Sequence, residues 1–239
     1  MARTVKPEAF AAKRREILEA AYRQIFTKGY ERMSIQDILN DIQISSGAFH
    51  HYFNSRNALL EAIIEYIRQE TEKPLLPILH DPHLTAIAKL QGFFDMLDRL
   101  RIAHKADVAR LGRVWYSDDN ALIRLKVDEA IFQQRAPVLS EIVRQGVREG
   151  TFTTAYPEKA GEVIMSLLQG MGNIHARLLL SATQERDNPR RIEEIVKEVV
   201  TIHAVYMDAI ERLLGAPSHS FYRTDAETVK VWVTAIQED

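Results

Sequence analysis

Ser34-Ile35-Gln36-Asp37-Ile38-Leu39-Asn40-Asp41-Ile42-Gln43-Ile44-Ser45-Ser46-Gly47-Ala48-Phe49-His50-His51-Tyr52-Phe53 is the stretch of this 239-residue chain that decides its fold. Ser34 suits the N-cap of a helix, and Asp37 three residues on makes a capping-box pair with Asp in place of Glu or Gln. Ile35, Ile38, Leu39 and Ile42 then repeat at i, i+3, i+4 and i+7, the stripe of a short amphipathic helix. The chain turns at Gln43-Ile44, and Ser45 caps a second short helix through about Phe53. Phe49 and Phe53, four apart, face inward from that helix, while Ser46, His50 and His51 face outward. Two short helices on a tight turn are the outline of a helix-turn-helix, whose second helix enters the major groove of DNA.

Outward from this pair the chain stays helical. Upstream, a polar arm leads into a helix from about Glu8 to Lys28, with Ile17, Ala21, Ile25 and Leu18, Tyr22, Phe26 on adjacent strips and Gly29 as its stop. Downstream, a fourth helix starts near Arg56, carries Leu59, Leu60, Ile63, Ile64 and Ile67, and is limited by Pro74. Longer helices follow at about 84–103, 120–149, 157–181 and 189–214, with a shorter one at about 105–116. A kink is expected at Pro137. Asn188-Pro189 reads as N-cap and N1, and Gly215 as a stop. Thr224 and Glu227 suggest a capping box ahead of a last helix bearing Val229, Trp232, Val233 and Ile236. Few β-branched alternating runs interrupt this pattern, so the fold class is all-α.

The 31 Lys and Arg against 33 Asp and Glu give a net charge of −2, which taken whole argues against a nucleic-acid partner. The distribution is uneven. Residues 1–60 hold nine basic and six acidic side chains, a net of +3, leaving −5 on the remainder. A basic head on an acidic body fits a DNA-binding module joined to another function. The absence of cysteine excludes disulfides, thiol catalysis and thiolate metal sites. Met1 to Arg15 holds charges without an apolar core, so no secretory signal is expected. No run approaches the ~20 apolar residues of a membrane helix, and the cytoplasm is the expected compartment. Pro82 breaks the spacing of His80 and His83 as metal ligands, and Asp118-Asp119-Asn120 reads as a helix cap. Neither a phosphate loop nor a nucleophile elbow is present. No catalytic residue, metal or cofactor is expected.

The motifs Ile17-Leu18-Glu19-Ala20-Ala21 with Phe26, Lys28-Gly29-Tyr30, Met33-Ser34-Ile35-Gln36-Asp37-Ile38, Ile44 to Phe53 and Ser55-Arg56-Asn57-Ala58-Leu59-Leu60 together resemble the TetR family of bacterial transcriptional regulators. The resemblance covers about Arg14 to Ile64. It implies a three-helix helix-turn-helix DNA-binding domain at 1–55 and a larger helical effector-binding and dimerisation domain at 56–239. By the same resemblance Ser34 touches a phosphate, Gln36 reads a base, and Ser45, Ser46, Gly47 and Ala48 bring the start of the recognition helix to DNA. His50 and His51 contact sugar-phosphate or base edges, and Tyr52 and Arg56 contact phosphates. Ser46 stands where the family often has Lys, and His50 where it usually has Tyr.

For the body the resemblance implies a pocket for a small, largely apolar effector. Phe93, Phe94, Met96, Leu97, Trp115, Tyr116, Phe132 and Met165 are candidate walls, with Arg113, Asn173, His175 and Arg177 as candidate polar anchors; for any single one, ordinary core is the preferred reading. Gly170, Met171 and Leu178, with Val199, Ile202, Tyr206 and Ile210, are candidates for a homodimer interface of two helices per subunit, or can be buried within one subunit. The expected partners are a double-stranded DNA operator, the effector and a second copy of the chain, with no membrane. The expected function is a ligand-responsive regulator, a repressor before an activator. The alternatives are a helical small-molecule-binding enzyme and an interaction adaptor that keeps the fold without operator binding.

Overall fold

The computed structural model describes residues 7–103, 112 and 114–237, and every regular element among them is helical. The helix expected at about 105–116 falls largely outside these residues, as does Arg113. The chain divides into two compact units, Met1–Glu70 with Val114–Ala130, and Thr71–Arg113 with Ile131–Asp239. The first unit therefore extends past residue 55 and takes in a stretch far along the sequence.

The first unit holds α1 (Pro7–Lys28), α2 (Ile35–Ile42), α3 (Ser46–Tyr52) and most of α4 (Arg56–Glu72). Ile17, Ala21, Ile25, Ile38, Phe49, Phe53, Leu59 and Ile63 are buried there, so the apolar strips of all four helices supply its core. The distant stretch runs through a 3₁₀ turn at Asp118–Asn120 into the start of α7 (Ala121–Arg148). Asn120 is not a surface helix cap. Its side chain is fully buried, accepts from the Tyr30 amide at 2.7 Å and donates to the Ile25 and Val114 carbonyls at 3.3 and 2.9 Å. Gly29 has φ +89°, and a Cβ there would lie 2.6 Å from that of Asp119. Both the left-handed backbone and the close approach require glycine.

The second unit contains α5 (Leu76–Leu79), α6 (Ala86–Ala103), the rest of α7, α8 (Pro157–Ser181), α9 (Pro189–Leu214) and α10 (Ala226–Gln237). The single turn α5 has no counterpart in the sequence reading; Pro77 sits in its first turn, where a missing N–H costs nothing. α7 continues as one helix through Pro137. Phe93, Phe94, Leu139, Ile164, Met207 and Ile210 form the main core, while Val229, Trp232 and Val233 of α10 pack on Ile195, Val196 and Val199 of α9. The cap of α10 is Asp225, whose Oδ1 accepts from the Thr228 amide at 2.7 Å; Thr224, the expected cap, is buried instead. Buried Glu211 holds the strand of chain before α10. It accepts from the His219 and Phe221 amides, each at 3.1 Å, and from Arg223 Nη2 at 2.7 Å. No helix among the described residues is long and apolar enough to cross a membrane.

Candidate nucleic-acid interface and body sites

Both legs of the capping box are made. The Asp37 amide donates to Ser34 Oγ at 3.2 Å, and the Ser34 amide donates to Asp37 Oδ2 at 2.9 Å. Lys28 pairs with the other carboxylate oxygen. The Lys28 ammonium, then the Ser34 donors, hold the Asp37 carboxyl down at about 2. The Ser34 hydroxyl also donates to Asp37 at 2.8 Å, so a phosphate must compete for it. Gln43 takes the left-handed conformation at φ 52°, and its amide donates to the Leu39 carbonyl, which makes the tight turn. Ser45 then caps α3 by accepting from the Ala48 amide at 3.2 Å.

Ser46, Gly47, Ala48, His50 and His51 are exposed on α3, while Phe49 is buried beneath them. Together they form the outward face expected of a recognition helix. Gln36 lies exposed on α2, its Nε2 donating to Asn40 Oδ1 at 2.8 Å. Tyr52 is half-buried against the Phe10 ring at 4.8 Å, and His51 meets the same ring edge-on at 5.5 Å. Phe10 thus props two candidate contacts, and an aromatic residue in the first turn of α1 was its sequence signal. Arg56 donates to the Tyr30 carbonyl at 2.8 Å and lies over the Tyr30 ring, so it braces the turn after α1. Lys13, Arg15, Arg23 and Arg32 pair with Glu16, Glu19, Asp41 and Asp119 at 2.7–2.9 Å. Such exposed pairs are worth only ~0–1 kcal/mol, and a phosphate can replace the carboxylate.

The candidate effector residues do not gather in one place. A cavity of about 40 Å³ in the second unit is lined by Phe94, Leu97, Asp98, Leu168, Met171, His203 and Met207. Phe93 and Met165 are buried core, and Met96 and Phe132 pack against it. Trp115 and Tyr116 belong to the first unit, where Trp115 stacks on Phe26 and Tyr116 lies under Arg124. Asn173 and Arg177 are exposed, whereas His175 is buried and stacks on His203 at 5.9 Å. Asp98 and His203 were missed by the sequence reading; an acid within the apolar stripe Phe93, Phe94, Leu97 was the available signal.

The interface candidates differ in burial. Met171, Val199 and Ile210 are buried in the chain's own cores, because α8 and α9 pack their apolar stripes on each other. A Cβ at Gly170 would lie 3.3 Å from the Tyr206 hydroxyl, so that small residue serves a contact within the chain. Leu178, Ile202 and Tyr206 are partly buried against the same cores. Val163 on α8 and Val205 on α9 are the large apolar side chains that the described residues of these helices leave exposed, 41% and 59%.

Residues 17–63 match the model of the bacterial regulatory proteins of the tetR family. The HTH-type transcriptional regulator YvdT of Bacillus subtilis is 36% identical over 74 residues, which are 31% of this chain and 38% of that protein. An HTH-type transcriptional repressor of Mycobacterium tuberculosis is 33% identical over 93 residues, 39% of this chain and 43% of the relative. The chain thus matches less than half the length of each of these curated relatives. The crystal structure of a TetR-family transcriptional regulator from Pectobacterium atrosepticum has the same fold, with a TM-score of 0.58 and 18% identity over 89% of this chain and all of that one.

Proposed function

We propose that this chain is a transcriptional regulator of the TetR type, a homodimeric repressor released from a palindromic operator by a small molecule. The observation that carries the reading is the α2–turn–α3 unit. Its caps and buried Phe49 fix the backbone, and its outer face is small and polar. Each α3 enters a major groove, with half-sites one helical turn, ~34 Å, or a multiple apart. Gln36 reads a base, its amide turning from Asn40 toward adenine. Ser34, Ser45 and the amides at the start of α3 meet phosphates, and His50, His51 and Tyr52 flank them.

A second copy is proposed to cover the face carrying Val163 and Val205, with Leu167, Ile202 and Tyr206 at its margin. An effector is proposed to enter the α6–α8–α9 cavity. At about 40 Å³ this space is far below the ~300 Å³ of a typical ligand site, so occupation requires the walls to spread. The effector then lowers operator affinity by preferring the spread conformation.

Selection of bound sequences from a random duplex pool tests the reading. It expects one palindromic sequence, bound tightly and weakened by salt. Selection of no sequence at low salt sinks it.

A further inference from the structure

We propose that the cavity between α6, α8 and α9 is a binding site for an organic cation, an ammonium or similar group carried on an apolar body. The proposal deepens the effector reading above and rests on it for its regulatory meaning. Five of the seven lining residues, Phe94, Leu97, Leu168, Met171 and Met207, are apolar. Among the lining residues Asp98 carries the one carboxylate, and it is only 3% exposed. His203 completes the polar corner. It is 4% exposed, with Nε2 3.4 Å from the Tyr222 carbonyl.

A carboxylate in such surroundings selects by charge. Low local dielectric strengthens its attraction for a cation and its repulsion of an anion. A neutral apolar guest gains nothing from it and strips the acid of water. The charge is felt nearby: the Tyr222 hydroxyl is pushed up to about 12, first by burial and then by its hydrogen bond to Asp98 and the acid's charge. Phe94 presents an aromatic ring, whose face attracts cations. Met171 and Met207 are the adaptable side chains that let a small cavity widen around a larger body. The competing arrangement is internal, with a protonated His203 serving Asp98 as its counter-charge. It predicts no advantage for a cationic guest.

Calorimetric titration of the full chain with benzylammonium, benzyl alcohol and benzoate separates the two, since the three share a body and differ in charge. The expected result is that benzylammonium binds about tenfold or more tightly than benzyl alcohol, and that benzoate does not bind. Asp98→Asn, which keeps shape and a hydrogen-bonding oxygen, is expected to erase that preference. Equal binding of cation and alcohol, preference for benzoate, or no binding by any probe overturns the proposal, as does a preference that survives in the variant. The ranking on the unaltered chain decides even where the variant fails to fold. A cation that binds selectively but leaves a selected operator occupied removes the effector reading and leaves the site standing.

Discussion

A Cβ built at Gly47 meets no atom within 4 Å, although glycine inside a helix costs roughly 0.5–1 kcal/mol relative to alanine. The fold makes no use of the missing side chain there, in contrast to Gly29, where Asp119 and a positive φ both require it. The small surface at 47 faces outward, where the proposed reading brings a DNA backbone. Gly47→Ala is therefore expected to leave stability unchanged or raise it by up to about 1 kcal/mol, while weakening operator binding. Paired thermal melts and operator titrations check this, and unchanged affinity contradicts the role given to Gly47. Local pattern made Ser34, Ser45 and Gly47 readable, since a cap or a bare helix position depends on its neighbours in the chain. Phe10 and Arg56 were not readable in the same way. Phe10 acts on His51 and Tyr52 across about forty residues of chain, and Arg56 divides its donors between the Tyr30 carbonyl and solvent.

At the scale of elements, α2 and α3 are set by short-range chemistry, and their observed bounds lie within about two residues of the sequence reading. The stretch at Val114–Asn120 is a different kind of element. It is held to the turn after α1 by buried Asn120, by the Glu31 amide donating to the Asp119 carbonyl at 3.0 Å, and by Arg32 on Asp119. Asn120→Ala strips a buried acceptor from the Tyr30 amide and a donor from the Ile25 carbonyl, a loss of about 1–3 kcal/mol. Faster hydrogen exchange is expected at the Tyr30 amide, with amides of α8 and α9 unchanged. Unaltered protection at Tyr30 would show that the stretch does not hold the turn. Sequence reading saw Asp118-Asp119-Asn120 as a cap because a buried amide and an exposed cap have the same composition. The same ambiguity holds for Met171, Val199 and Ile210, buried within this chain, for an apolar stripe does not say whether it faces its own chain or another.

For the whole molecule, the net charge of −2 is the sum of a +3 head and a −5 remainder. Much of the head's positive charge is already matched in exposed pairs such as Arg23 with Asp41. On the proposed reading, operator binding exchanges such carboxylates for phosphates. Paired half-sites need two heads, so assembly belongs to this scale. Val205, 59% exposed on α9, is proposed to lie at the centre of the face between subunits. Val205→Glu buries an unpaired carboxylate in any such contact. The variant is expected to sediment as a monomer with an unchanged melting cooperativity and to lose high-affinity binding to the two-half-site operator. A variant that stays dimeric moves the interface elsewhere.

The all-α class, the helix-turn-helix of the head and the outer face of α3 are legible from the residues alone. Those features follow from caps, turn residues and a 3.6-residue period, all acting over a few neighbours. Tertiary structure decided the rest. It joined Val114–Ala130 to the head, gave Met171 and Ile210 to an internal core, and brought Asp98 and His203 to the wall of one cavity. These placements depend on which apolar stripes meet, and stripes of similar composition can meet in many ways. Packing density and the burial of every paired polar group select among them, and neither is written in any one segment of the chain.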